Sequence, residues 1–239
     1  MRSVKQHGGT FAGLGALADL LYPERCLGCE RLVRGGICAD CLKRMPRLGS
    51  YLCSHCGRPT HAPVDECRDC RGRRFAFDAA RQRVRFEPPL REAVHRFKYS
   101  GCASLGAVLG RLIIEAATFV ELPAMATWVP ASRHRLRQTG VDHGRRLAEM
   151  VGATLAVPAA PLLVRVRETP PQSKLDPAKR RRNLRGAFAA NPPVPESVGV
   201  IDDVFTTGAT ASEAARALKA AGAVHVTVLC AARAMHPDS

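Results

Sequence analysis

From residue 79 onward, short apolar runs alternate with longer stretches of helical period. The run "AARQRVRF" (79–86) sets apolar and basic residues in turn, as an edge strand or hairpin does. "PPLREAVHRFKYSG" opens on Pro88 and Pro89 and stops at Gly101, which is helix punctuation. "LGAVLGRLIIEAATFV" (105–120) and "HGRRLAEMVGATL" (143–155) read as helices, and "MATWVP" (125–130) as a buried strand stopped by Pro130. "APLLVRV" (160–166), "VGVI" (198–201) and "HVTVLCAAR" (225–233) predict further strands, and "ASEAARALKAAG" (211–222) a helix closed by Gly222. Strands alternating with helices predict an α/β domain over 79–239, a mostly parallel sheet with helices on both faces. Ligands of such sheets bind beyond the carboxyl ends of the strands.

The preceding residues have another texture. Residues 1–22 predict an amphipathic helix: Asp19 interrupts the apolar run, and no small-residue cleavage site precedes Cys26, so a signal peptide fits poorly. No stretch approaches the roughly 18–20 apolar residues of a membrane span, and a cytoplasmic protein is expected. Residues 23–78 carry Cys26, Cys29, Cys38, Cys41, Cys53, Cys56, Cys67 and Cys70 in four C-x-x-C pairs. Each pair sets two thiols on one tight turn, and two such turns complete the tetrathiolate that suits structural zinc. Eight thiols predict two Zn2+ sites in a small zinc-ribbon domain. Sequential pairing is the simplest, and a cross-braced arrangement uses the same spacings. A disulfide framework does not suit a cytoplasmic chain. A thioredoxin-like motif needs one C-x-x-C beside a βαβ unit, not four in series. Closed four-cysteine sites leave no open position for metal catalysis.

Charge narrows the partners. The net charge is +15, and residues 79–185 hold 20 Lys/Arg against 8 Asp/Glu, while 186–239 hold 3 against 5. Nucleic acid, polyphosphate or a phosphorylated substrate is the expected partner class. The ribbon loops add Arg31, Arg34, Arg58, Arg68, Arg71, Arg73 and Arg74.

Against this background "VGVIDDVFTTGAT" (198–210) stands out, because Asp202 and Asp203 sit side by side at the end of a strand in the acidic part of the chain. Thr206, Thr207, Gly208, Ala209 and Thr210 follow, then a helix start. Small residues turn backbone N–H groups toward an anion, hydroxyls add donors, and the helix N-terminus favours negative charge. Such a loop suits a phosphate. The carboxylates suit sugar hydroxyls, or a divalent cation that holds them. Ribose 5-phosphate offers both ends. A Walker-B reading requires G-x-x-x-x-G-K-[ST], and a Rossmann reading requires G-x-G-x-x-G after a strand; the sequence has neither.

These residues resemble the phosphoribosyl-pyrophosphate signature of type I phosphoribosyltransferases. Together with the C-x-x-C pairs, "LLYPERCLGC", "CSHCGRP", "FKYSG", "VPASRHRLRQTG" and "RVRETPPQSKLDPAKRRRNLRGAF" are similar to the ComF family, named for natural competence, over nearly the whole chain. The resemblance implies a type I phosphoribosyltransferase-like fold and roles for matching positions. Asp202 and Asp203 would hold the ribose hydroxyls, directly or through Mg2+, and Thr206 to Thr210 the 5-phosphate. Ala131, Ser132 and Arg133 fall where the family's pyrophosphate loop lies. Arg165, Arg167, Gln172, Arg182 and Asn183 match polar positions of a mobile basic loop. The sequence departs from the family at "WVPAS", and at "TGVDH", where Asp142 and His143 replace Asn and Gln and add a carboxylate.

The implied activity is pentosyl transfer with displacement of pyrophosphate, in DNA uptake or processing during transformation. A rival reading is a non-catalytic module whose zinc unit and basic middle hold single-stranded DNA or a partner helicase. Aromatic content of 5% weighs against it, since sequence-tolerant strand binders stack bases on aromatics.

Overall fold

In the computed structural model, residues 25–33, 36–100, 103–169 and 183–235 are described, with main chain alone at 96–100 and 103–104. The helix expected over 1–22, Arg34, Gln172 and Arg182 lie outside the described residues. The elements run α1 (Ala39–Arg44), α2 (Arg68–Arg71), β1 (Ala79–Arg85), α3 (Leu90–Ser100), α4 (Ala103–Ala117) and β2 (Met125–Trp128). There follow α5 (Arg133–Thr139), α6 (His143–Leu155), β3 (Leu163–Arg165), β4 (Phe188–Ala190), β5 (Ser197–Phe205), α7 (Ala209–Ala220) and β6 (His225–Arg233). Among them no helix is long and apolar enough to cross a membrane.

The apolar runs of β5 and β6 pair in parallel along their full lengths, from Ser197 opposite His225 to Phe205 opposite Arg233. β1 and β2 add to their outer sides, giving a parallel sheet of order β1-β6-β5-β2. Side-chain alternation splits the core in two. Val226, Val228 and Cys230 pack with Ala211, Ala214, Ala215 and Leu218 of α7 and with Leu163 and Phe188 of β3 and β4. Leu229 and Ala231 face the other way, onto Leu109, Leu112 and Ile113 of α4 and Leu147 and Val151 of α6. Helices thus cover both faces, as the pattern predicts. Burying a side chain such as Leu218 or Leu229 in full is worth about 1.5–3 kcal/mol.

Two expectations change. "APLLVRV" meets the backbone of the sheet at Ala160, whose N–H donates to the Ala126 carbonyl of β2 (2.9 Å); β3 itself pairs antiparallel with β4, which lies hidden in the tail of the basic stretch. The strand read as "VGVI" also runs further, to Phe205, because β6 keeps supplying partners, with Asp202 opposite Cys230 and Val204 opposite Ala232. The acid pair therefore lies within β5, at its sixth and seventh residues, rather than beyond its end.

The cysteine unit continues the sheet on its far side. Leu48 N–H donates to the Arg83 carbonyl (3.1 Å) and Arg85 N–H to the Pro46 carbonyl (2.8 Å), which covers the outer edge of β1. Cys26, Ile37, Cys41 and Met45 merge with the core beneath α3 and α4.

Candidate functional site

Asp202 and Asp203 sit near the carboxyl end of β5, each with part of its surface exposed. The Asp203 N–H donates to Asp202 Oδ1 (2.9 Å), and the Val204 N–H to Asp203 Oδ1 (2.8 Å). The Asp202 carboxyl is pushed up to about 8, first by burial and then by the neighbouring Asp203 charge, with Arg135 pulling the other way. A pair of carboxylates that resists full ionisation is a fitting donor set for a cation, which would relieve both penalties.

The following loop is sterically committed. Gly208 has φ 74°, and a Cβ there would lie 2.8 Å from Phe205 Cζ and 2.8 Å from Phe75 Cε1. Only glycine combines that backbone with that approach. Gly208 is also the N-cap of α7 and offers no side-chain cap. Thr207 is buried, and its Oγ1 meets the Ala209 N–H at 3.4 Å, while Thr206 and Thr210 keep exposed surface. The start of α7, six residues beyond Asp203, is thus flanked by the partly exposed Thr206 and Thr210.

The turn after β2 is held by a helix cap and two longer-range contacts. Ser132 N-caps α5, its side chain accepting from the Arg135 N–H at 3.2 Å. The Arg133 N–H donates to Glu168 Oε1 (3.0 Å). Asp142 N-caps α6, accepting from the Arg145 N–H at 3.3 Å, which gives the family departure at this position a capping role. His143 beside it has its pKa lowered by burial and by Arg135 and Arg146, against the opposing pull of Asp142 and Asp203. Arg165 lies over the Phe188 ring and donates to the Pro130 carbonyl (3.1 Å), joining the β3–β4 hairpin to this turn. Arg167 donates to the carbonyls of Asn183 (2.8 Å) and Arg185 (2.6 Å) and so closes the base of the basic loop. Ala131, Ser132, Arg133 and Arg165 thus gather at one turn, whereas Arg167 is engaged elsewhere.

The eight thiols form two groups, Cys26/Cys29/Cys38/Cys41 and Cys53/Cys56/Cys67/Cys70, with all sulfurs of a group within 4.8 Å of one another. The grouping is sequential. Sulfur separations of 3.7 Å (Cys29–Cys38), 3.8 Å (Cys53–Cys70) and 3.6 Å (Cys56–Cys67) far exceed a disulfide bond. They match the edge of about 3.8 Å that four sulfurs make around zinc at ~2.3 Å. Burial and the neighbouring sulfurs push Cys70 far up, and burial raises Cys56 to about 11 against the pull of Arg233. Thiols so crowded are eased by a central dication.

Sequence reasoning missed Glu168, Arg135 and above all Arg233. Arg233 is 5% exposed at the end of β6. It donates to the Cys56 carbonyl (2.8 Å) and lies 4.8 Å above the Phe205 ring, linking the second thiol group to the residue that flanks Gly208. The one signal for it was a basic residue closing the apolar run "HVTVLCAAR".

Comparison with known proteins agrees with this arrangement. Residues 17–71 match the double zinc ribbon domain family. The chain is 30% identical over 227 residues to the DNA utilization protein YhgH of Salmonella typhimurium, covering 90% of this chain and 100% of that protein. It is 27% identical over 224 residues to competence protein F of Haemophilus influenzae, covering 88% of this chain and 97% of the other. Among solved structures, the allosteric regulatory enzyme of purine biosynthesis aligns with 53% of this chain and 26% of its own at 21% identity and TM-score 0.37, too loose a match to bear on function. With a double zinc ribbon, a parallel α/β sheet and relatives that match it along most of their length, the chain belongs to the ComF family.

Proposed function

We propose that this protein binds phosphoribosyl pyrophosphate with Mg2+ and is a phosphoribosyltransferase that serves DNA uptake or processing during transformation. The observation that carries the reading is the juxtaposition on β5 and α7: two carboxylates, then a glycine-pinned loop with Thr206 and Thr210 at a helix start whose N-cap, Gly208, has no side chain. Asp202 and Asp203 orient the ribose hydroxyls. The Thr206–Thr210 loop holds the 5-phosphate and fixes the anomeric carbon relative to the turn at Ala131, Ser132 and Arg133. Asp202 and Asp203 would also hold Mg2+, which when bound would supply positive charge toward the pyrophosphate. Each thiol group holds one Zn2+ with a structural role, and residues 23–78 and 79–239 act as ribbon and transferase domains. The names of the YhgH and competence relatives support a role in handling DNA.

Isothermal titration of the zinc-loaded chain tests the reading. Phosphoribosyl pyrophosphate with Mg2+ is expected to bind, and Asp202→Asn/Asp203→Asn to weaken it at least tenfold. No binding by the wild-type chain sinks the proposal.

One observation favours the non-catalytic alternative. The Glu168 carboxylate holds the Arg133 N–H, where a pyrophosphate oxygen would be placed. In that case the fold keeps its sugar-phosphate pocket while the ribbon and basic surface engage single-stranded DNA or a helicase. Ligand binding without pyrophosphate release, together with steeply salt-dependent strand binding, marks this outcome.

A further inference from the structure

The acid pair does not account for a second concavity, which shares only Thr207 and Ala209 with the loop that follows it. A cleft of about 490 Å3 opens between the segment that leaves the zinc ribbon and the first turns of α7. Arg73, Arg74 and Phe75 line one wall, and Arg185, Glu213 and Arg216 the other; Thr207 and Ala209 of the loop also reach the lining, whereas Asp202, Asp203, Thr206 and Thr210 do not. Glu213 is already occupied. Its Oε2 accepts from the Gly186 N–H (3.2 Å) and its Oε1 from Arg216 Nε (3.2 Å). Among the described residues, Arg73, Arg74 and Arg185 have no carboxylate within ion-pair reach. Three arginines thus border one cavity whose one lining carboxylate, Glu213, is already paired with Arg216, so a dianion there meets uncompensated positive charge.

The walls are fixed before any ligand arrives. Ser212 Oγ accepts from the Ala76 N–H (3.0 Å), and Asp78 binds both Lys219 Nζ (2.7 Å) and the Val226 N–H (2.8 Å). These bonds strap the segment after Phe75 to α7 and β6. The Phe75 ring, stacked on Phe77 at 4.8 Å between centroids, gives one wall a flat apolar surface. The volume lies in the range of small-ligand pockets, roughly 300–1,000 Å3. Arginines grouped around one cavity suit a single phosphate group better than a strand, which needs charges spaced along a groove.

We propose that this cleft, which adjoins the loop at Thr207 and Ala209 but excludes Asp202, Asp203, Thr206 and Thr210, is a second anion site that takes the phosphate of a mononucleotide-sized ligand with its base against Phe75. The probe is thymidine 5′-monophosphate, which lacks the vicinal diol that the acid pair would recognise; thymidine is the phosphate-free control. Titrations use the full, zinc-loaded chain. Expected are binding of the monophosphate but not of thymidine, a loss of at least tenfold in Arg73→Ala/Arg185→Ala, and a change under twofold in Asp203→Asn and in Thr206→Val/Thr210→Val. Arg74→Glu, at an exposed position, gives a second variant that leaves the strapped backbone intact, and it too should weaken binding tenfold or more. The proposal is overturned if the monophosphate does not bind, or if the arginine variants bind it as the wild type does. It is equally overturned if the threonine variant abolishes binding, which places the phosphate in the loop. Displacement of the monophosphate by an oligothymidylate without terminal phosphate, at equal phosphate concentration, overturns it in favour of a strand groove.

Discussion

The two thiol groups are near copies in sequence and unlike in their surroundings. Cys29 and Cys38 of the first group are partly exposed, and the unit rests against the turn before α3, with a Cβ on Gly28 meeting Pro89 at 2.8 Å. All four cysteines of the second group are buried. That group is held from below by the sheet, through Ala80 N–H to the His55 carbonyl (2.7 Å), and from the side by Arg233. His55, Phe75, Phe77 and Phe205 then form an aromatic cluster that ends at Gly208. The first group closes the core at one end. The second also positions the loop proposed to hold the sugar phosphate. A repeated motif thus acquires different work from the elements it packs against.

The comparison breaks first at the metals. Cys53→Ser/Cys56→Ser should leave one zinc equivalent by elemental analysis, and cost about 3 kcal/mol or more of stability. In a chain of this size that is a fall in Tm on the order of 10 °C. Binding of ribose 5-phosphate should be lost with it. Cys26→Ser/Cys29→Ser should also remove one zinc but leave that binding within about threefold, and equal losses in both variants would erase the distinction.

Arg233→Met sharpens the same contrast with both metals in place. The Cys56 carbonyl is left with only the long contact from Gln82 Nε2 at 3.4 Å. A buried acceptor so weakened costs about 1–3 kcal/mol, readable by urea titration, with the zinc content unchanged. Gly208→Ala tests the far end of the chain of contacts. The strained backbone and the clash with Phe75 and Phe205 should cost about 1–3 kcal/mol and abolish ribose 5-phosphate binding in calorimetry.

The smallest effect has the opposite sign. The Asp202 carboxyl is raised in the folded protein, so the folded state holds more protons than the unfolded state between the ordinary carboxylate range and about pH 8. Stability without Mg2+ therefore falls as pH rises through that window. Asp202→Asn removes the burden. Its Tm should match wild type near pH 4 and exceed it by a few degrees at pH 8, and a gap that does not grow with pH refutes the assignment.

What could be read in advance was what is local. The C-x-x-C spacing exposes ligand pairs directly, and the Asp202–Thr210 stretch is contiguous, so strand, acids and loop appear in one line of sequence. The parallel sheet followed from alternation alone. Arg233 and Cys56 are 177 residues apart, and their contact exists only because β6 pairs beside β1. Ala76 and Ser212, 136 residues apart, meet by the same folding. β3 was legible within "APLLVRV", but β4, three residues long beyond a polar, proline-rich stretch, leaves no period to detect, so their pairing was hidden. Asp142 looked like a misplaced charge near an anion site; in the fold it caps a helix.

The segment 46–48 laid along β1 has a consequence for anyone dividing this protein. An excised piece starting at Ala79 would expose the unpaired N–H and C=O groups of β1 together with the apolar flank of Val84, an invitation to edge-to-edge aggregation. Insolubility of such a fragment would report a missing neighbour rather than an unstable sheet, and the ribbon would then count as the selvedge that keeps the fabric from fraying.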